Sequence, residues 1–131
     1  MPKPSPTSGA VIFAKDIKRM SEFYCALLDL SVVHSGGDHV VIESDRAALV
    51  IHGIPPRIAK TIEITSPPKL REATTQKLFF VVKSIEVCRK VAPDFGGKLQ
   101  AKSKEWSARN FTACDGNDPE GNIFQVREIA A

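Results

Sequence analysis

Chemistry in this 131-residue chain can begin at three histidines, one tryptophan and a glutamine set in an otherwise apolar strand. His52 ends the apolar run Leu49-Val50-Ile51. An imidazole is the natural general base near neutral pH, although one near a strand end is as readily bonded to backbone. Gln125 interrupts Ile123-Phe124-Gln125-Val126. Its amide can give a ligand directional hydrogen bonds, or bond a strand neighbour. Trp106 and Arg109 lie in Lys104-Glu105-Trp106-Ser107-Ala108-Arg109. The indole can stack on a planar molecule and the guanidinium can hold an anion; the plainer readings are edge packing and solvation. His34 and His39 flank a turn and are expected to face solvent. Cys114 has no adjacent histidine to activate it. Asp115-Gly116-Asn117-Asp118 lacks the twelfth-position Glu of a calcium loop. Gly96-Gly97 reads as a helix stop, not a phosphate loop.

Those side chains must be positioned by strands and helices. Ala10-Val11-Ile12-Phe13-Ala14 is an apolar run suited to a buried strand. Asp16 is a good helix N-cap. Ile17, Met20, Phe23, Tyr24, Leu27 and Leu28 then recur at helical spacing, and Tyr24 reads as core. Ser31 to His34, His39 to Glu43 and Ala47 to His52 follow as three strands, stopped by Gly53-Ile54-Pro55-Pro56. The chain from Pro55 to Thr75 is irregular, with Ile62-Glu63-Ile64 as a possible short strand. Then the pattern restarts. Leu78 to Val82 is a buried strand, and Ser84 can cap a helix carrying Ile85, Cys88, Val91, Ala92 and Phe95. Lys98 to Ala101, Phe111 to Cys114 and Ile123 to Glu128 supply strands. Asp115 to Gly121 reads as a turn, because Asp118-Pro119 favours one and Gly121 accepts a positive φ. Strand–helix–strands thus occurs twice, about half a chain apart.

Composition excludes several classes. Hydrophobic content is 43% and charged content 25%, ordinary for a globular domain. A net charge of +3, with no basic run interleaved with aromatics, argues against nucleic acid. No apolar run approaches a membrane span. Cys25, Cys88 and Cys114 are odd in number and far apart, and read as reduced thiols of a cytoplasmic protein. The stretch 1–8 has no apolar signal core and reads as a disordered tail.

The turn Asp118-Pro119-Glu120-Gly121-Asn122 and the strand after it resemble the closing turn and last strand of the vicinal-oxygen-chelate superfamily. That superfamily contains glyoxalase I, bleomycin-resistance proteins and extradiol dioxygenases. The opening strand, Lys15-Asp16, Phe23-Tyr24 and Leu27 to Leu30 resemble it too, so the likeness runs from Gly9 to Glu128. It implies an α+β fold of paired βαβββ modules forming curved half-barrel sheets, the glyoxalase/bleomycin-resistance/dioxygenase fold. The modules would span 9–65 and 76–131, joined by a linker at 66–75. It also implies a homodimer, and up to four metal ligands. Their positions correspond here to Gly9, the neighbourhood of Val50 and His52, Lys77 and Gln125. Gly9 has no donor, Lys77 is an ammonium, and Gln125 is a weaker donor than a carboxylate. The expectation is no cofactor and no tightly bound metal, with a divalent metal near His52 and Gln125 as the alternative.

Strand parity extends the resemblance to a cup. If Gln125 faces it, so do Ile123 and Arg127, while Phe124 and Val126 pack on a helix. By the same parity His52 goes with Val50 and Ala48, Phe13 with Val11, and Phe79 with Val81. An apolar, aromatic cup with a few polar groups suits a small molecule. The expected ligand-binding set is Phe13, Val50, His52, Phe79, Trp106, Arg109 and Gln125, with His52 the candidate base if a reaction occurs. The expected function is binding of a small, partly planar organic molecule between modules. The alternatives are a metal-dependent glyoxalase-type lyase or dioxygenase with an atypical ligand set, and an interaction module whose cup is filled by its own side chains.

Overall fold

Both long helices start for one reason: a polar side chain satisfies a backbone N–H that the first turn leaves free. Asp16 Oδ1 accepts from the Arg19 N–H at 3.0 Å, opening α1 (Ile17–Leu28). Ser84 Oγ accepts from the Val87 N–H at 3.2 Å, opening α3 (Ile85–Val91). A short 3-10 turn, Ala92–Phe95, extends α3 where Pro93 forbids regular geometry. The structure, a computed structural model, describes residues 5–130. Of the tail read at 1–8, residues 1–4 lie outside the described residues, and β1 already begins at Ser8.

Two open, curved sheets carry the chain in an α+β arrangement. The first contains β1 (Ser8–Ala14), β2 (Val32–Ser35), β3 (His39–Glu43) and β4 (Ala47–Gly53), in the order β1-β4-β3-β2. The second contains β5 (Leu78–Val81), β6 (Lys98–Leu99), β7 (Trp106–Ala108), β8 (Phe111–Asn117) and β9 (Ile123–Ile129). Its order is β5-β9-β8-β6, with β7 also on β8. In each sheet the first strand lies at an edge and pairs in parallel with the last, and all other pairs are antiparallel. Four local readings are corrected. β1 and β5, expected as buried strands, are sheet edges whose Val11, Phe13, Phe79 and Val81 are more than half exposed, because neither edge has a strand beyond it among the described residues. Ile62 to Ile64 is not a strand. A four-residue helix, α2 (Pro56–Ala59), starts where Pro56 supplies a preset φ at the first helical position. Asp115, Gly116 and Asn117 continue β8 instead of turning, because Lys98-Leu99 pairs with Gly116 and Asn117 while Ile123 to Gln125 pairs on the other side.

One core serves both sheets, and α1 sits at its centre. Met20, Phe23, Tyr24 and Leu27 of α1 are buried with Ile42, Leu49 and Ile51 of the first sheet and with Phe124 and Val126 of the second. The Tyr24 ring lies 5.8 Å from Phe80 and 6.0 Å from Phe124, and Phe23 lies 5.8 Å from Phe124. These are tilted and edge-on contacts of the kind aromatic quadrupoles favour. Each such side chain contributes about 1.5–3 kcal/mol by leaving water.

The Asp118–Asn122 turn locks the two halves together. Glu120, 3% exposed, accepts the backbone N–H groups of Lys15 and Asp16 at 2.8 Å each, just ahead of α1. Asp118, fully buried, accepts from the Tyr24 hydroxyl at 2.7 Å, from the Glu120 and Asn122 N–H groups, and from the Asn122 amide. Burial first, and the Asp118 charge second, hold the Tyr24 hydroxyl well above its ordinary pKa, so it keeps its proton and donates. Gly121 has φ 88°, and a Cβ there would run into the Lys69 carbonyl oxygen. Arg71 bonds the Gly121 and Glu120 carbonyls, so the segment before β5 is pinned on the same turn.

Candidate functional site

Pleating sorts each strand into a face toward the helices and an open face. On the first sheet Ile42, Leu49 and Ile51 point to α1. The opposite parity forms rows across the register: Phe13, His52 and His39 in one, and Val11, Val50, Val41 and His34 in the next. Phe13 packs on His52 at 5.6 Å, His52 stacks on His39 at 6.1 Å, and His39 meets His34 at 5.3 Å. The expectation of a solvent-facing side chain holds for His34 and is corrected for His39. His34 is exposed and His39 half-buried, and cross-strand register gathers all three histidines on the open face. Asp38 joins them: His39 Nδ1 lies 2.7 Å from Oδ1 and His52 Nε2 lies 3.5 Å from Oδ2. The His39 hydrogen bond is the main reason the Asp38 carboxyl sits below the usual carboxylate range. His52 Nδ1 is 2.9 Å from the Gly53 carbonyl oxygen.

The second sheet holds the other candidates. Phe79, Gln125 and Asp115 form one open-face row. Val81, Arg127, Ala113 and Trp106 form the next. Arg127 Nε donates to Gln125 Oε1 at 2.7 Å. The guanidinium carbon lies 3.7 Å from the centre of the Phe79 ring and 4.4 Å from that of Phe111. Trp106 meets Phe111 edge-on at 5.8 Å. Arg109, in the turn between β7 and β8 with φ 48°, reaches over the same ring at 5.5 Å. Lys77 Nζ pairs with Asp115 Oδ2 at 2.8 Å, whereas Asp115 Oδ1 is covered and has no hydrogen-bond partner among the described residues.

The expected set is thus divided. Phe13, Val50 and His52 share the first sheet's open face, while Phe79, Trp106, Arg109 and Gln125 share the second's. No hydrogen bond or ring contact joins His52 to Gln125 among the described residues. A cleft of about 850 Å³ runs between the edge strands, lined by Gly9 to Phe13 of β1 and by Gln76, Lys77 and Leu78. A second cleft, about 750 Å³, has Asp115, Asn117, Ile123 and Lys98 in its wall. Arg127 and Phe111 join the site without a local sequence signal that marks them as site residues. Parity placed Arg127 on the open face, but nothing in the chain order tells that Phe111 lies under its guanidinium.

The side chains at the superfamily's four ligand positions do not fit a metal. A Cβ at Gly9 would strike the Ala48 carbonyl oxygen, so no donor side chain fits there. Lys77 is committed to Asp115, the Gln125 oxygen to Arg127, and His52 lies on the other sheet. Among the described residues, no three His, Cys, Asp or Glu side chains come close enough to hold an ion. Cys114 is buried against Arg89 and the Gln100 carbonyl, and burial pushes its thiol up despite the guanidinium. Among the described residues no helix is long and apolar enough to cross a membrane.

No family model matches the sequence, and no curated protein was found to match it. Solved structures do. A glyoxalase/bleomycin resistance protein/dioxygenase family enzyme from Burkholderia phytofirmans PsJN is similar with a TM-score of 0.68 at 18% identity, over 95% of this chain and 99% of that one. A glyoxalase/bleomycin resistance protein from Albidiferax ferrireducens T118 gives 0.65 at 17%, over 92% and 96%. A glyoxalase-related enzyme from Fulvimarina pelagi gives 0.65 at 13%, over 93% and 86%. With two open sheets, each pairing its first strand in parallel with its last, and one turn clasping them around α1, the chain has the fold of the vicinal-oxygen-chelate superfamily.

Proposed function

We propose that the protein binds a small, partly planar organic molecule on the open faces of its sheets, without a tightly held metal. One observation carries the reading. Val11, Phe13, Phe79 and Val81, the open-face residues of the two edge strands, are each more than half exposed, at 56%, 58%, 53% and 59%. Large apolar side chains held this exposed on each edge strand are the kind of surface that binding sites use. The aromatic rings supply wall, and Gln125, Arg127 and His52 supply direction. The modules would span 9–65 and 76–131 with a linker at 66–75, and a second copy of the chain would cover the unpaired edges of β1 and β5, making a homodimer. The setting would be cytoplasmic, in keeping with three unpaired thiols.

Trp106 is the only tryptophan, so its emission reports one place. Titration with a panel of planar aromatic compounds should quench or shift it saturably for at least one. His52→Ala should then weaken binding about fivefold to a hundredfold, the range of about 1–3 kcal/mol for a lost directional contact. A panel that leaves the emission and the heat of mixing unchanged overturns the reading, and unchanged affinity in His52→Ala removes that residue from it. Sedimentation at micromolar concentration should give a dimer; a monodisperse monomer refutes the assembly.

A further inference from the structure

Arg127 differs from the other cations near the open face of the second sheet. Lys77 is neutralised by Asp115. Arg109 is exposed, 5.5 Å from the Phe111 ring centre. Arg127 is half-buried, anchored through Nε by Gln125 and stacked on Phe79 and Phe111. Yet among the described residues no carboxylate lies within ion-pair distance of it. Arg89 is the contrast: its guanidinium is closed off by Glu86 and Glu105 together. A guanidinium whose Nε and ring contacts are satisfied still offers two terminal nitrogens in a planar fork. That fork matches a carboxylate in two parallel hydrogen bonds. Its stacking means that little side-chain freedom remains to be lost on binding.

We infer that the ligand of this face carries a carboxylate on a planar apolar body, and that Arg127 receives the carboxylate end-on. This rests on the binding reading above and names its ligand class. The body has a place beside the fork. Along the row, Arg127 is flanked by Val81 on β5 and, beyond the small Ala113, by Trp106 on β7. Val81 and Trp106 are both about half exposed, so apolar surface is open on either side of the charge. The competing explanation is structural: Arg127 would be a lid whose stem and flat head shield Phe111, which is 6% exposed. The two differ in whether the charge is used.

Calorimetry on the full chain separates them, with benzoate, its neutral isostere benzamide and inorganic sulfate as probes. Benzoate should bind at least tenfold tighter than benzamide, and sulfate should compete poorly. Arg127→Met keeps an apolar cover of similar length and should bring benzoate down to the affinity of benzamide while leaving benzamide unchanged. Gln125→Met keeps the charge but frees Nε, and should lose only part of the preference. Circular dichroism on both variants checks the fold, and either variant alone tests the inference. Equal affinity for benzoate and benzamide, a preference that survives in Arg127→Met, or sulfate binding as well as benzoate overturns the carboxylate class and leaves the binding reading standing. Absence of binding by either aromatic probe, and by the wider panel, brings down both.

Discussion

Removing the Glu120 carboxylate tests whether the turn between β8 and β9 holds the two halves of the molecule together. Glu120 spans 104 to 105 positions of sequence to accept two backbone N–H groups ahead of α1. Neither N–H has an intrahelical partner, so truncation leaves both without an acceptor. A hydrogen bond to a charged group is worth about 1.5–3 kcal/mol, and an orphaned donor costs about 1–3 kcal/mol. Lys15 and Asp16 are exposed residues, so water reaches their N–H groups after truncation and the low end applies. Glu120→Ala should therefore cost roughly 2–4 kcal/mol, out of a total of about 5–15 kcal/mol for a domain. Urea unfolding followed by circular dichroism reads this directly. With a slope of about 1–3 kcal/mol per molar, the midpoint should fall by about 0.7–4 M. Glu120→Gln keeps the volume and one oxygen and should cost about half as much. Glu22→Ala is the control: its side chain is 54% exposed and its 4.0 Å pair with Lys18 should be worth under about 0.5 kcal/mol. A Glu120→Ala loss no larger than the Glu22→Ala loss would refute the clasp.

Other outcomes follow from the same contacts. Tyr24→Phe keeps the core ring but removes one donor from buried Asp118, and should destabilise by about 1.5–3 kcal/mol in urea; a loss below about 0.5 kcal/mol would show that the other donors suffice. The folded-state pKa of Tyr24 is raised, so its contribution is complete below about pH 10 and is lost as pH rises through the folded value. Stability should fall above pH 10, less steeply in Tyr24→Phe, and parallel curves would contradict this. Asp38 should titrate below an ordinary carboxylate by NMR and move back toward it in His39→Gln; no movement would remove His39 as the cause. Burial raises all three thiols, so a thiol reagent at neutral pH should react slowly with the folded chain and fully once it is unfolded.

How much of this was legible in the chain follows the physics of each element. The apolar stripe of α1 has a helical period and one buried face, so Met20, Phe23, Tyr24 and Leu27 could be named as core. Alternation in β4 and β9 gave the parity that separates His52 from Ile51 and Gln125 from Phe124, and burial follows that parity for Ile51 and Phe124. Asp115-Gly116-Asn117 has the composition of a turn, and only pairing on both sides makes it a strand. Pro55-Pro56 stops β4 as expected, and Pro56 also starts α2, because its fixed φ suits the first helical position. The histidine row and the Arg127–Phe111 stack depend on which strands become neighbours. Local pattern does not encode that, because register between distant strands is set by the whole fold.

The two halves of the last turn and strand answer to different forces. Asp118 and Glu120 are buried acceptors with partners from remote segments, and their worth lies in satisfying donors that folding takes out of water. Gln125 and Arg127 follow a few residues later, on the pleat that faces away from the core. Changing them leaves Phe124 and Val126, the β9 side chains in the core shared with α1, in place. A chain can therefore keep the clasp, and with it the fold, while its open face trades metal donors for a stacked guanidinium. Likeness of fold does not name a ligand, so the proposal above rests on the residues of the outward pleat. On this chain those residues are aromatic rings, one amide and a guanidinium with no carboxylate within ion-pair distance among the described residues, and the proposed ligand class rests on that set.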